Sequence, residues 1–380
     1  MSKMNELAEL GQSIWFDYIR RSLITSGELK DLVAQGLRGV TSNPSIFEKA
    51  IAGSADYDSD LEQLIDSNKT IHEIYESLAL VDIAMAAEQL KPVYESTQGR
   101  DGFVSLEVNP DLANNTPKTI MEAKRLFESL NRPNVMIKVP ATPAGLPAIA
   151  ELITSGVNVN VTLIFGLDNY QAVAEAYLSG LEKLAQTGPS VTGGHMVDRV
   201  ASVASFFVSR VDTAVDQALE KTGNTELQGK IAVANSKIVY EEYRKIFSGS
   251  RWDSLATKGA RVQRVLWAST STKNPSYPQN LYVDELIGPN TVNTLPPATL
   301  KSFMEHGVVS ETLTKGVAEA RKQIEQLADL GIDLDKITQD LQDEGVAAFA
   351  KSFESLITCI SEKRERLLTE KTSHATDVSK

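Results

Sequence analysis

The 380-residue sequence predicts an α/β fold, a (β/α)8 TIM barrel with additional helices and long insertions. Two observations carry that expectation. Short β-like apolar runs recur eight times with helical patterns between them, and within several runs the apolar residues fall on alternate positions only. A parallel strand in an open sheet is covered by helices on both sides and should be apolar on both faces. Strands with one apolar and one polar face suit a closed ring instead, with helices outside and polar side chains entering the lumen. A doubly wound open sheet is the competing architecture.

The runs are "SIWFD" (13–17), "LRGVTSN" (37–43), "GFVSLEVNP" (102–110), "NVMIKVP" (134–140), "VNVNVTLIF" (157–165), "SVASFFVSRVD" (202–212), "RVQRVLWASTS" (261–271) and "NTVNTL" (290–295). In the fifth, Val157, Val159, Val161 and Leu163 share one face and Asn158, Asn160 and Thr162 the other. In the third, Val104, Leu106 and Val108 oppose Ser105, Glu107 and Asn109; in the fourth, Val135, Ile137 and Val139 oppose Met136 and Lys138. Amphipathic helices lie between several runs, as in "TIHEIYESLALVDIAMAAEQLKPVYES" and "DNYQAVAEAYLSGLEKLAQ". Two connections, near 180–200 and 222–260, exceed ordinary loop lengths and read as insertions. Residues 1–365 form one expected domain, closed by a C-terminal helix over "DKITQDLQDEGVAAFAKSFESLITCISEKRERLL" that packs against the barrel; 366–380 is expected to be a polar, flexible tail.

Composition, 42% hydrophobic and 23% charged, is that of a soluble globular protein. A net charge of −12 argues against nucleic acid as a partner, because phosphate-backbone binding needs concentrated Lys and Arg. Local basic pockets for small phosphorylated ligands remain open. The N-terminal stretch has no signal-type apolar run, and no segment approaches about eighteen consecutive apolar residues, so a cytoplasmic protein without membrane association is expected. The single cysteine, Cys359, sits in an apolar helical setting and reads as an inert core thiol. There is no phosphate-binding P-loop and no strand-linked dinucleotide fingerprint. His72, His195, His306 and His374 are scattered outside the proposed strands, so neither a metal nor another cofactor is expected.

The chemistry centres on "NVMIKVPAT", a strand with a lysine set in it. An isolated strand lysine is more often a snorkelling side chain. Here the inward polar face gives Lys138 the company of Asp17, Asn43, Glu107, Asn160 and Thr162. Desolvation lowers a lysine pKa from about 10.4 towards about 7 and makes the amine nucleophilic, whereas an ionised carboxylate beside it opposes that shift. The carboxylates are therefore expected to stand off from Lys138 or to reach it through water. Taken singly, Asp17 reads as a cap or surface aspartate, Glu107 as half of a structural ion pair and Asn43, before Pro44, as a turn residue. Together they suit general acid–base work on a carbonyl. Arg210, at the end of the sixth run, and Ser269, Thr270, Ser271, Thr272 and Lys273, after the seventh, could hold a phosphate at neighbouring strand ends.

From "SIWFDYIRRSL" through "GVTSNPSIFEKAI", "VSLEVNPDLANNT", "NVMIKVPATPAGLPAI", "GVNVNVTLIFGLDNY" and "SVASFFVSRVDTAVD" to "RVLWASTSTKNPSY" and "LYVDELIGPNTVNTLP", the chain resembles the transaldolases, specifically the longer bacterial branch. The motifs "TSNPSIF" and "NVTLIF", with the strand lysine between them, are the most specific part. The resemblance implies an α/β barrel in which Lys138 forms a Schiff base with the ketone of fructose 6-phosphate or sedoheptulose 7-phosphate. It implies Asp17 as the acid–base at the C4 hydroxyl, and Glu107 with Thr162 on the water of carbinolamine chemistry. Asn43 and Asn160 would bind the dihydroxyacetone hydroxyls, Ser205 would line the site, and Arg210, Ser271 and Lys273 would take the phosphate. Lys273 stands where many members have a second arginine, a point charge in place of a fork. Phe207 stands where the related fructose 6-phosphate aldolases carry a tyrosine, which favours transfer over release of free dihydroxyacetone.

The expected function is transfer of a dihydroxyacetone unit in the non-oxidative pentose phosphate pathway, by a monomer or homodimer acting on phosphorylated sugars. The alternatives are a lysine-dependent lyase on the same barrel and a catalytically silent sugar-phosphate-binding barrel. A scaffold would have no need of polar strand interiors.

Overall fold

The structure is a computed structural model and describes residues 2–65, 69–187 and 197–377. Its centre is a ring of eight parallel strands: β1 Gln12–Asp17, β2 Gly39–Thr41, β3 Phe103–Glu107, β4 Val135–Pro140, β5 Val159–Ile164, β6 Ser202–Phe207, β7 Arg264–Ala268 and β8 Thr291–Leu295. Each strand pairs with the next, and β1 pairs with β8 from Gln12 opposite Thr291 to Phe16 opposite Leu295. That last pairing closes the sheet and rules out the open alternative. Strand residues are buried throughout, with one partly exposed position, Asp17 at the end of β1.

Register brings the chemistry together before any side chain is considered. Glu107 of β3 lies opposite Lys138 of β4, which lies opposite Asn160 of β5, so three polar residues form one layer across adjacent strands. Asp17 lies opposite Thr41 in the same way. The period-two pattern therefore holds through these strands. It breaks at the end of β5, where Leu163 adopts φ 61° and the pairing with β6 shifts between Val161 and Ile164. A bulge of this kind re-aims the end of a strand.

Several helices start where the sequence supplies caps. Asn43 caps the helix Pro44–Ala52, its Oδ1 accepting from the Ile46 N–H at 3.0 Å, with Pro44 at the first helical position. Thr70 and Glu73 form a reciprocal capping box on the helix Ile71–Ser96. The connection 222–260 is largely helical, containing Ile231–Ile246 and Ser250–Ala256. In the other long connection the helix Leu167–Thr187 runs into residues 188–196, which, with His195, lie outside the described residues. Arg210 is corrected from a strand end to a helix start: β6 stops at Phe207 and the helix Ser209–Thr222 begins two residues later.

The C-terminal helix, Leu334–Asp377, spans the C-terminal mouth of the ring and continues through most of the segment 366–380 expected as a tail. Gln342 donates to the carbonyls of Ala141 (3.0 Å) and Leu163 (2.9 Å), tying the ends of β4 and β5 to the helix. Gly345 permits this approach, since a Cβ there would come within 2.9 Å of Leu163 Cδ2. Further along, Ser355 donates to Glu48 (2.6 Å) and Lys363 pairs with Asp58 (2.7 Å), so the helix is pinned at both sides of the mouth. Cys359 lies on it, half-buried, its thiol pKa raised by burial.

At the opposite mouth, buried Arg264 of β7 donates to Asp101 Oδ1 (2.8 Å) and Ser13 Oγ (2.9 Å), while Asp101 Oδ2 accepts from Ser13 (2.7 Å). A buried charge pair is tolerated when its remaining valences are met like this. No helix among the described residues is long and apolar enough to cross a membrane.

Candidate active site

Lys138 and Glu107 are the centre of the C-terminal mouth. Lys138 Nζ lies 3.3 Å from Glu107 Oε2, both side chains less than a tenth exposed, and donates to the Ser42 carbonyl at 3.2 Å. The ring of Phe349, from the C-terminal helix, stands 5.7 Å from the same nitrogen. The expected stand-off between the lysine and its carboxylates is thus corrected: the contact is direct. The physical reason lies on the acid side. Burial raises the Glu107 pKa, against the lowering effect of Lys138, and the charge of Asp17 raises it further. A buried carboxyl made proton-avid in this way is suited to exchanging protons with a group bonded beside it. Thr162 Oγ1 is buried and has no hydrogen-bond partner in the protein, and Glu107 Oε2 has only its contact with Lys138. An unpaired buried hydroxyl beside a buried ion pair marks a place where substrate or water completes the bonding.

Asp17 reaches the same space from β1. Its Oδ1 accepts from Thr41 Oγ1 (2.8 Å), and Thr41 in turn meets Thr294 Oγ1 at 2.8 Å. Burial raises the Asp17 pKa, with Lys138 and Thr41 pulling the other way. Asn160 is engaged at both ends, donating to Ser105 Oγ (3.0 Å) and accepting from Ser205 Oγ (2.7 Å). One proton of its amide remains for a ligand. Asn43 serves as the helix cap described above, which leaves its amide nitrogen free to face the cavity.

These residues line a cavity of about 490 Å3 together with Phe207, Arg210, Ser271 and Lys273, a size in the usual range of small-molecule sites, about 300–1,000 Å3. Of the residues singled out from the sequence, three do not line it: Glu107, which touches it through Lys138, Thr270, whose hydroxyl donates to Asn293 Oδ1 (3.0 Å), and Thr272, whose hydroxyl donates to the Gln279 carbonyl (3.2 Å). Thr41, Thr294, Lys49 and Phe349 also line it and were not singled out. Thr41 and Thr294 carry the same alternating signal as Asn160, within "GVTS" and "NTVNTL"; Lys49 and Phe349 come from helices and give no strand signal.

The outer end is cationic. The Arg210 guanidinium lies over the Phe207 ring, 5.2 Å from its centre, and Phe207 is 5.0 Å from Phe165. Burial lowers the Arg210 pKa while Glu344 raises it, and arginine stays charged regardless. A partly desolvated guanidinium with no ion pair among the described residues is set for an anion. Ser271 Oγ shares a hydrogen bond with Thr299 Oγ1 (2.7 Å), and Lys273 is exposed at the rim. The helix bearing Arg210 is anchored by Asp212, which accepts from the Ala232 N–H (2.7 Å) and the Tyr282 hydroxyl (2.8 Å). Among the described residues no group of three or more His, Cys, Asp or Glu is placed to hold a metal ion.

Asp212 supports a stability prediction. Burial pushes its pKa from 3.8 up to about 7. Its contribution to stability is therefore complete below about pH 4 and lost as pH rises through about 7. Asp212→Asn, which never ionises, should be more stable relative to the unsubstituted chain at pH 8 than at pH 4, by on the order of 4 kcal/mol. Urea unfolding at the two pH values measures the difference; a difference independent of pH would refute it.

A closed (β/α)8 ring with a buried lysine–glutamate contact at its C-terminal mouth and cations at the outer end defines a class, the (β/α)8-barrel enzymes with a polar site for a small anionic substrate at the C-terminal mouth. The profile of the transaldolase/fructose-6-phosphate aldolase family matches residues 14–360, and the chain belongs to that family. It is 47% identical over 376 residues to the transaldolase of Trichodesmium erythraeum, covering 95% of this chain and 97% of that one. It is 46% identical to transaldolase 2 of Nostoc punctiforme, with 94% and 96% covered, and 46% identical to transaldolase 1 of Streptomyces avermitilis, with 95% of each covered.

Proposed function

We infer that the chain is an enzyme, a transferase with transaldolase activity, moving a dihydroxyacetone unit between sedoheptulose 7-phosphate or fructose 6-phosphate and an aldose phosphate. The reading places it in the non-oxidative pentose phosphate pathway, in the cytoplasm. The observation that carries it is the Lys138–Glu107 contact, an amine and a proton-avid carboxyl buried together below Arg210.

The steps follow from that pair. Glu107 takes the ammonium proton, the free amine adds to the C2 ketone, and the carbinolamine hydroxyl leaves as water with the proton that Glu107 returns. Thr162 Oγ1, unpaired in the protein, holds that water against Glu107. The cationic imine then accepts the electron pair of the C3–C4 bond while Asp17 takes the C4 hydroxyl proton and the aldose leaves. Attack of the resulting enamine on the acceptor aldehyde runs these steps backwards, with Asp17 returning its proton to the new hydroxyl. Asn43 and Asn160 orient the hydroxyls of the bound triose, Ser205 fixes Asn160, and Arg210, Ser271 and Lys273 hold the phosphate.

The family also includes aldolases that release the triose, and Phe207 bears on that choice. It puts an apolar ring, 7% exposed, where a hydroxyl could otherwise position a hydrolytic water. The distinguishing assay is fructose 6-phosphate with and without erythrose 4-phosphate. Sedoheptulose 7-phosphate should form with the acceptor and triose release should be slow without it. Equal rates of C3–C4 cleavage with and without the acceptor would make the chain a lyase.

A further inference from the structure

We propose that the cleft at the N-terminal mouth of the barrel, opposite the catalytic one, is a second anion site that binds a phosphate group. The cleft has a volume of about 360 Å3, with Phe103, Met136 and Val203 among its walls and three arginines, Arg100, Arg261 and Arg264, converging on it. Among the described residues no carboxylate lines it. In a chain of net charge −12 that is a concentrated local excess of positive charge.

The three cations are not equivalent. The charge of Arg264 is answered by Asp101 at 2.8 Å. Arg100 and Arg261 have no ion pair among the described residues; they are held by neutral oxygens, Arg100 by Asn290 Oδ1 (3.2 Å) and Arg261 by the Gln98 carbonyl (2.6 Å). Other arginines on the surface meet carboxylates in some cases, as Arg125 does with Glu76 and Arg251 with Glu175 and Glu182. The two at the cleft are thus oriented without being neutralised, the condition that favours a bidentate anion.

The backbone that orients them is itself unusual. Gln98 and Asn290 have φ 53° and 56°, left-handed values that non-glycine residues seldom adopt. Of the three other such residues among the described ones, Leu163 and Ser269 flank the catalytic mouth and Asn131 ends the helix Thr116–Leu130. Backbone of this kind is strained for a residue with a side chain and collects at binding sites. Here it falls on the two residues whose oxygens hold the free guanidiniums. Gly99, beside Gln98, completes the arrangement: a Cβ there would come within 2.7 Å of Arg261 Nη1, so the arginine lies across the turn because that side chain is absent.

The test is calorimetric titration of the full chain with inorganic phosphate at low salt, using the Arg100→Gln and Arg261→Gln variants singly and together. Glutamine keeps a hydrogen-bonding end and removes the charge. Arg100 is exposed and Arg261 half-buried, so the fold should survive, as circular dichroism would verify. In an Arg210→Ala background, which removes the main cation at the catalytic mouth, one phosphate should still bind. Its affinity should fall on the order of tenfold per guanidinium replaced, while the paired variant in the otherwise unsubstituted chain retains its sugar-transfer kcat/KM. Glycerol 3-phosphate in a parallel titration separates a monoester ligand, which would bind more tightly than free phosphate, from free phosphate itself. Absence of phosphate binding in the Arg210→Ala background, or binding unaltered by the paired substitution, would overturn the proposal. Loss of transferase activity in the unsubstituted chain would leave it standing.

Discussion

Lys138→Ala should lower sugar transfer by about 10^4-fold or more, the scale seen when a covalent nucleophile is removed, and should abolish trapping. Borohydride reduction of the unsubstituted enzyme with fructose 6-phosphate should leave a dihydroxyacetone-derived adduct on the peptide carrying Lys138, and none in the variant. No other amine can substitute. Lys49 and Lys273 line the same cavity, but both are exposed, whereas the Lys138 side chain is 7% exposed and backed by Glu107. Lys138→Arg should be equally inactive, because a guanidinium restores the charge and not the nucleophile. Neither result would reflect misfolding. Removing one partner of a buried ion pair is usually costly, about 3–5 kcal/mol, because the other is left charged. Glu107 already has a raised pKa and can bind a proton instead. An unmodified Lys138 peptide recovered from enzyme that is turning over would remove the Schiff-base mechanism.

What could be read from the sequence was whatever depends on period and on neighbours along a strand. The polar positions of β3, β4 and β5 point to one lumen because side chains alternate, and parallel pairing then sets Glu107, Lys138 and Asn160 side by side. Distances across that layer could not be read. A period assigns a face and says nothing about whether two long side chains on it touch, so the direct Lys138–Glu107 contact went against expectation. The bulge at Leu163 was equally hidden, since the apolar pattern continues through it and the turn is fixed by Gln342, on a distant helix. Arg210 was placed on the correct side of the barrel but in the wrong element, because "SFFVSRVD" remains apolar enough to extend a strand past Phe207. Phe349 belongs to the same class of omission as Gln342. Its position over Lys138 depends on how the C-terminal helix crosses the mouth, and helical periodicity does not encode where a helix docks.

Asp17→Asn should produce two effects of opposite sign, and their combination is more specific than either alone. The variant cannot accept the C4 hydroxyl proton, so sugar transfer should fall by about 10^2–10^4-fold, the usual contribution of a positioned general base. Borohydride trapping on Lys138 should persist if Asp17 acts at bond cleavage and not at imine formation. Stability should move the other way. The folded-state pKa of Asp17 is raised, burial being the largest cause, so ionisation opposes folding. Its favourable contribution is complete below the ordinary aspartate value, about 3.9, and disappears as pH rises through the raised folded value. Asparagine keeps the shape and the bond from Thr41 Oγ1 and never ionises. The variant should therefore melt higher than the unsubstituted chain at pH 8, with the advantage gone near pH 3. The same raised pKa places the acid limb of the unsubstituted enzyme's pH–rate profile above the ordinary carboxylate range, since the base must be ionised to work. A variant that is both inactive and less stable at pH 8 would mean that the Asp17 carboxylate holds the barrel mouth together and is not held there at a cost to the fold for the reaction.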